Sequence, residues 1–339
     1  MIIIDAENRD EWDKFITSHD EANFLQSWDF YEFHTSRNKQ IVRRLVLNDS
    51  EQIIGAYAGV VETAKRGTYL AIAGGPILDW QNQKIVKMVF NDIKEQGKKH
   101  HCVFVRVRPQ LELSEYSLDL MQKLGLKKAP MYLSVEYAGI LNLEKSEAEI
   151  LANASQGFRR KLRKAEKENI TVETSQDVSV AKTFYQIEVE HAKRQQFVAF
   201  SEEFLTKQFA AFAKNNEVIM YTAKKDGEIL AQNFMIFYGN EASYHYGVST
   251  PLGTKYSAAP LLHMKAMEEA RARGIKRYNL WGIVDVNDIN HRFYGVSEFK
   301  RSFGCEELKY TPAHDLILNQ PKYLITKVVE SIRKKIRHV

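Results

Sequence analysis

The chain has 339 residues, 44% hydrophobic and 27% charged, with a formal net charge of +5. This length exceeds one ordinary core and asks for about two domains of roughly 150 residues. The composition excludes a disordered chain, and mild basicity is compatible with an anionic partner without requiring one. Cys102 and Cys305 are isolated, so no disulfide framework or zinc site can be built from them, and a reducing cytoplasm fits. The N-terminus turns acidic at Asp5, unlike a signal peptide, and no apolar run approaches the ~18 residues of a membrane span.

In chain order, a helix is expected over residues 11–18 and a further segment over 26–33. Asn48-Asp49-Ser50-Glu51 then reads as a hairpin turn into a strand. A helix over 84–96 ends at Gly97, and Cys102-Val103-Phe104-Val105 is a strand. Residues 146–169 carry an apolar stripe (Ile150, Phe158, Leu162, Ala165) beside the cations Arg159, Arg160, Lys161, Arg163, Lys164 and Lys167. Helices are expected over 178–193 and 201–213. A second hairpin turn follows at Lys225-Asp226-Gly227-Glu228, a helix over 259–273 ends at Gly274, and a strand covers Asn279-Leu280-Trp281-Gly282. Both turn and helix-end glycine repeat at one offset, 226 − 49 = 177 and 274 − 97 = 177. Each unit reads strand, strand, helix, strand, which predicts two similar α/β (α+β) domains with mixed sheets. Gly97 and Gly274 are both expected to be left-handed helix-ending residues. The tail places Ile325, Val328, Val329, Ile332 and Ile336 on one helical face, expected to pack back on the first domain. The expected domains are 1–145, completed by 315–339, and 146–314.

Several motifs carry further meaning. Phe24-Leu25-Gln26-Ser27-Trp28, Gly75-Pro76, the run from Phe158 to Glu166, Tyr244-His245-Tyr246-Gly247, Trp281-Gly282 and the Phe299-Lys300 turn together resemble, in order and spacing, the Fem (FemABX) family of peptidoglycan-bridge aminoacyltransferases. The resemblance covers nearly the whole chain. It implies two tandem GNAT-like (acetyltransferase-like) domains. Residues 210–258 show strand and turn signals in place of a coiled-coil arm, as in short members. It also implies transfer of an amino acid from aminoacyl-tRNA to the stem peptide of a precursor, nucleotide- or lipid-linked, by a cytoplasmic monomer.

The reaction so implied is aminolysis of an activated ester, which needs no metal, cofactor or covalent nucleophile. A fixed cation aimed at the developing oxyanion lowers the barrier, and Lys300 is the candidate. Tyr244 and Tyr246 alternate along a strand and are expected on one face, where the family's matching tyrosines hold the precursor. Phe299, His34, Arg108 and Arg194 fall at positions beside substrate-binding segments of the family. His34 stands where members using the nucleotide precursor carry lysine, and Arg108 precedes a proline that an acid often precedes. Arg159, Arg160, Lys161, Arg163, Lys164 and Arg301 suit tRNA phosphates. The basic tail (Lys327, Arg333, Lys334, Lys335, Arg337) suits the inner face of a membrane. His100-His101-Cys102 heads a strand whose alternation divides the ligands between faces, so no metal is expected there. The alternatives are an acyl-CoA-dependent N-acetyltransferase and a non-catalytic RNA- or membrane-surface-binding protein. Against the first, Thr250-Pro251-Leu252-Gly253-Thr254-Lys255-Tyr256 lacks the glycine pattern that cradles pyrophosphate.

Overall fold

The computed structural model describes residues 1–64, 67–195 and 198–337. Its strands are β1 (Ile2–Asp5), β2 (Gln40–Leu47), β3 (Ile53–Ala64), β4 (Gly67–Gly74), β5 (Ile77–Leu78), β6 (Phe104–Pro109), β7 (Lys127–Lys128), β8 (Tyr137–Asn142), β9 (Thr171–Ser175), β10 (Val218–Lys225), β11 (Glu228–Tyr238), β12 (Glu241–Ser249), β13 (Arg277–Gly282), β14 (Glu306–Lys309) and β15 (His314–Ile317). The helices are α1 (Arg9–Thr17), α2 (Trp28–Ser36), α3 (Gln83–Lys99), α4 (Glu115–Lys123), α5 (Glu147–Asn153), α6 (Gln156–Glu166), α7 (Ser179–Gln195), α8 (Glu202–Ala213), α9 (Pro251–Tyr256), α10 (Ala259–Ala272), α11 (Tyr294–Arg301) and α12 (Gln320–Arg337). The chain divides into two units: Met1–Tyr137 with Val284–Tyr294 and Leu308–Val339, and Ala138–Ile283 with Gly295–Glu307.

The first sheet runs β1-β2-β3-β4-β6-β15-β7, with β5 paired to β3, and the second β9-β10-β11-β12-β13-β8-β14. β4 pairs parallel with β6, and β12 parallel with β13. The parallel partner is reached through α3 in the first unit and through α9 and α10 in the second. In each sheet the next strand over is antiparallel and comes from elsewhere in the chain: β15 beside β6, β8 beside β13.

In the first unit α3 turns Ile85, Val86, Val89, Phe90 and Ile93 inward at helical spacing, against Leu70, Ile72, Val105 and Val107. Gly97 departs from expectation. It lies within α3, and a Cβ there would approach Leu318 at 2.6 Å and Val105 at 2.7 Å. The helix needs a small residue for close packing there, and His101 takes the left-handed conformation instead (φ 53°). Gly274 does adopt φ 75°.

On the other face of β6, Arg106 is fully buried. It donates to Asp315 on β15 at 2.7 and 2.8 Å and to Glu330 on α12 at 2.8 Å. Tyr323 donates to the same Asp315 at 2.8 Å, and its ring meets Phe104 edge-on. α12 therefore docks through Tyr323, Thr326 and Glu330. This corrects the expected docking face. Leu324, Ile325, Val328 and Ile332 look outward, 52–63% exposed. A buried charge must keep its partner, and that requirement fixes the rotation of the helix. The side chains of Lys334, Lys335, Ile336 and Arg337 lie outside the described residues.

In the second unit α10 and α6 cover one face of the sheet with Leu262, Ala266, Met267, Phe158 and Leu162, against Met235, Phe237 and Tyr278. α8 covers the other, where Phe209 meets Phe234 at 5.1 Å.

Candidate active site

The site in the second unit starts from a parting of strands. β12 and β13 are paired only over Glu241–Ser243 and Arg277–Asn279. Glu241, buried, ties this end together by accepting from Arg277 (2.8 Å), Asn279 (3.0 Å) and Ser243 (2.7 Å). Beyond it both strands carry bulges. On β13 the register against β8 slips between Asn279 and Gly282. The Asn279 side chain accepts from the Trp281 amide at 2.7 Å, and Trp281 sits at φ 65°. Left-handed backbone is uncommon at so bulky a residue and typically stores about 1–3 kcal/mol of strain, a pattern that clusters at functional sites.

The second bulge, on β12, corrects the expected tyrosine pair. Met235 lies opposite Tyr244 and the next residue, Phe234, opposite Tyr246, so His245 is the extra residue. Two residues on one strand against one on the other reverse the alternation. Tyr244 faces α10, its ring 4.5 Å from His263, while Tyr246 faces α8, 5.7 Å from Phe234 and 5.4 Å from Phe200. Gly247 is required by the same geometry, since a Cβ there would strike the Tyr244 hydroxyl.

Lys300 enters this parting. It lies in the last turn of α11, where a turn was expected from Gly295; the segment is helical, with Ser297 and Lys300 on its inward face. Lys300 is only 7% exposed. Its Nζ donates to the Gly282 carbonyl at 2.7 Å and lies 5.6 Å from the Tyr244 ring centroid. Burial pushes its ammonium down to about 7. His263 is buried beside it, with Nδ1 2.8 Å from the Tyr278 hydroxyl. Burial, then the Lys300 charge, lower the imidazole to about 3, so it is neutral at physiological pH. Phe299 packs on His263 and Phe303. Cys305 donates to the Lys300 carbonyl, and burial raises its thiol, so it is no ready nucleophile. The arrangement is a desolvated amine beside aromatic walls, able to meet developing negative charge or to exchange a proton. Among the described residues no cluster of His, Cys, Asp or Glu could hold a metal. Sequence reading missed His263 and Tyr278. A histidine on the apolar face of a helix looks like core, and only the Lys300 charge acting on it distinguishes it.

The other candidates are dispersed. In the first unit Arg108 is buried, donates to Gln110 and stacks on Tyr310 at 5.0 Å. His34 packs on Phe30 and Phe33, and burial with Arg37 and Lys39 lowers it to about 3. It therefore carries no charge with which to replace a lysine. In the second unit Arg194 is exposed at the end of α7 and reaches the Ser249 carbonyl at 3.4 Å. Arg301 pairs with Glu298 and Glu307. On α6, Phe158, Leu162 and Ala165 are buried, while Arg160, Lys161, Arg163, Lys164 and Lys167 are exposed. Arg159 bends back to the carbonyls of Leu151 and Ala152 at 3.1 Å, closing the end of α5. Lys164 donates to the Lys255 carbonyl at 2.6 Å.

Known proteins fit this architecture. Residues 8–130 match the FemAB family model, and residues 152–301 match an acetyltransferase (GNAT) domain. The crystal structure of FemX superposes with a TM-score of 0.86 at 20% identity, covering 96% of this chain and 100% of the other. A tandem GNAT protein from the clavulanic acid biosynthesis pathway gives a TM-score of 0.53 at 12% identity over 82% of this chain and 83% of its own. The fold is thus that of two tandem GNAT-like domains. In sequence, the aminoacyltransferase FemA of Staphylococcus epidermidis is 21% identical over 370 aligned positions, covering 85% of this chain and 89% of its own length. The first part of the chain thus matches the FemAB family, and the chain as a whole is similar to Fem aminoacyltransferases.

Proposed function

We propose that the chain transfers an amino acid from aminoacyl-tRNA to the stem peptide of a peptidoglycan precursor, on the cytoplasmic side of the membrane and as a monomer. The acceptor amine attacks the ester carbonyl, a C–N bond forms and the C–O bond to the ribose breaks. The amine gives up a proton and the ribose oxygen gains one. Lys300 stabilises the oxyanion of the tetrahedral intermediate. Tyr244 and Phe299 wall its side of the parting. In the second unit Tyr246, on the opposite face, serves the acceptor through packing and the exposed Arg194 through its charge; in the first, the neutral His34 and the buried Arg108 are acceptor residues. The exposed cations of α6 (Arg160, Lys161, Arg163, Lys164), together with Arg159 and Arg301, take tRNA phosphates. The carrying observation is Lys300 itself, a cation drawn out of water and held by the Gly282 carbonyl beside Tyr244. The kinship to FemA supports the aminoacyl donor class.

Lys300 also admits a second role in the same step. An ammonium held near 7 can hand its proton to the departing ribose oxygen. The test of the function is incubation with charged total tRNA and either nucleotide- or lipid-linked pentapeptide precursor, with the product weighed by mass spectrometry. The expected result is one acceptor heavier by an amino-acid residue, dependent on the charge on the tRNA. No product with either acceptor would overturn the reading.

A further inference from the structure

The face of α12 that the fold leaves uncovered carries an inference independent of the transfer reaction. Leu324, Ile325, Val328 and Ile332 lie along it, each more than half exposed. A contiguous apolar stripe in water marks a contact surface. The helix cannot roll to hide it, because the opposite face is committed. Glu330 meets Arg106, Tyr323 meets Asp315, and Thr326 is fully buried. The charges beside the stripe have one sign. Lys322, Lys327 and Arg333 are exposed, while Glu330, the only acid on the helix, is buried in the ion cluster. The sequence adds Lys334, Lys335 and Arg337 beyond them.

We propose that the outward face of α12 binds an anionic lipid surface, lying in the plane of the interface with Leu324, Ile325, Val328 and Ile332 among the headgroups and Lys322, Lys327 and Arg333 against the phosphates. Apolar face in lipid and cations at the boundary is how an interfacial amphipathic helix binds. A span is not implied, since no described helix is long and apolar enough to cross a membrane. A second copy of the chain fits less well. Two stripes packed together would bring the cations of both helices side by side, with no exposed acid on either to receive them.

The test is flotation of the full chain with vesicles of phosphatidylcholine alone and of phosphatidylcholine with a third phosphatidylglycerol. Binding is expected to the anionic vesicles and to weaken at high salt. Lys327→Gln with Arg333→Gln should lower partitioning about 25-fold, roughly fivefold for each cation. Ile325→Ser with Val328→Ser should lower it at least about tenfold. Both pairs are exposed and none of the four makes a hydrogen bond to the buried ion cluster, so unfolding curves should match wild type. Three results would each overturn the proposal: no preference for the anionic vesicles, unchanged binding in the Ile325→Ser/Val328→Ser protein, or a dimer in sedimentation velocity that the same pair of substitutions dissociates. A chain inactive as a transferase that still binds anionic vesicles would leave it standing.

Discussion

Lys300 opposes stability to chemistry. Burial lowers its ammonium to about 7, against an ordinary lysine near 10.5. Below pH 7 folded and unfolded chains both hold the proton, and the fold carries the whole cost of a desolvated charge. Between 7 and the ordinary value the unfolded chain binds more protons, so stability rises with pH. Lys300→Met should therefore melt higher than wild type at pH 6, with the advantage shrinking toward pH 10; calorimetry at the two pH values decides. The same substitution should lower kcat by about 10²–10³ while both substrates still bind, the loss of one strong oxyanion donor. The pH–rate profile should fall above about pH 7 as the ammonium loses its proton. Lys300→Arg should keep part of the rate and lose that falling limb, because a guanidinium stays charged. A limb that persists unchanged in Lys300→Arg would assign it to another group.

At the scale of elements, α6 and α12 are both amphipathic and basic, yet the fold uses them oppositely. α6 buries its apolar stripe and exposes cations; α12 buries polar groups and exposes its stripe. For α6, Arg160→Gln, Arg163→Gln and Lys167→Gln combined should weaken tRNA binding about equally for all tRNA sequences and flatten its dependence on salt. Filter binding across a salt series reads both quantities. Arg159 is a poor probe, since it also closes the end of α5. For α12 and β15, Asp315→Ala removes the carboxylate that takes two hydrogen bonds from Arg106 and one from Tyr323. Leaving a buried charge short of its partner should cost about 3–5 kcal/mol in urea unfolding. A loss under about 1 kcal/mol would mean that water or rearrangement replaces the carboxylate.

At the scale of the molecule, the first sheet takes back a strand from beyond the second unit. β15 pairs with β6, whereas β8, which opens the second unit, pairs with β13 within it. Expressed alone, residues 136–309 hold every strand of their sheet and should unfold cooperatively in urea. Residues 1–137 lack β15 and α12, so the open edge of β6 and the face around Phe104 would be exposed to water, and that fragment should show no cooperative transition. Much of this architecture was legible in the chain. Turns and helix ends repeating at one offset come from local chemistry, and local chemistry fixed two mixed α/β units with the same order of elements. The segment around Lys300 stood out in the sequence as a glycine turn, whereas the fold makes it the helix α11 and turns Lys300 inward. Tertiary structure alone decided the rest. The extra residue at His245 put Tyr244 and Tyr246 on opposite faces, which no alternating pattern reveals, because a bulge is set by the partner strand. Close approach of Leu318 and Val105 made Gly97 a packing residue. The pull of Arg106 on Glu330 turned the apolar side of α12 outward, since a buried charge must find its counter-charge before a stripe of isoleucine and valine can choose its cover.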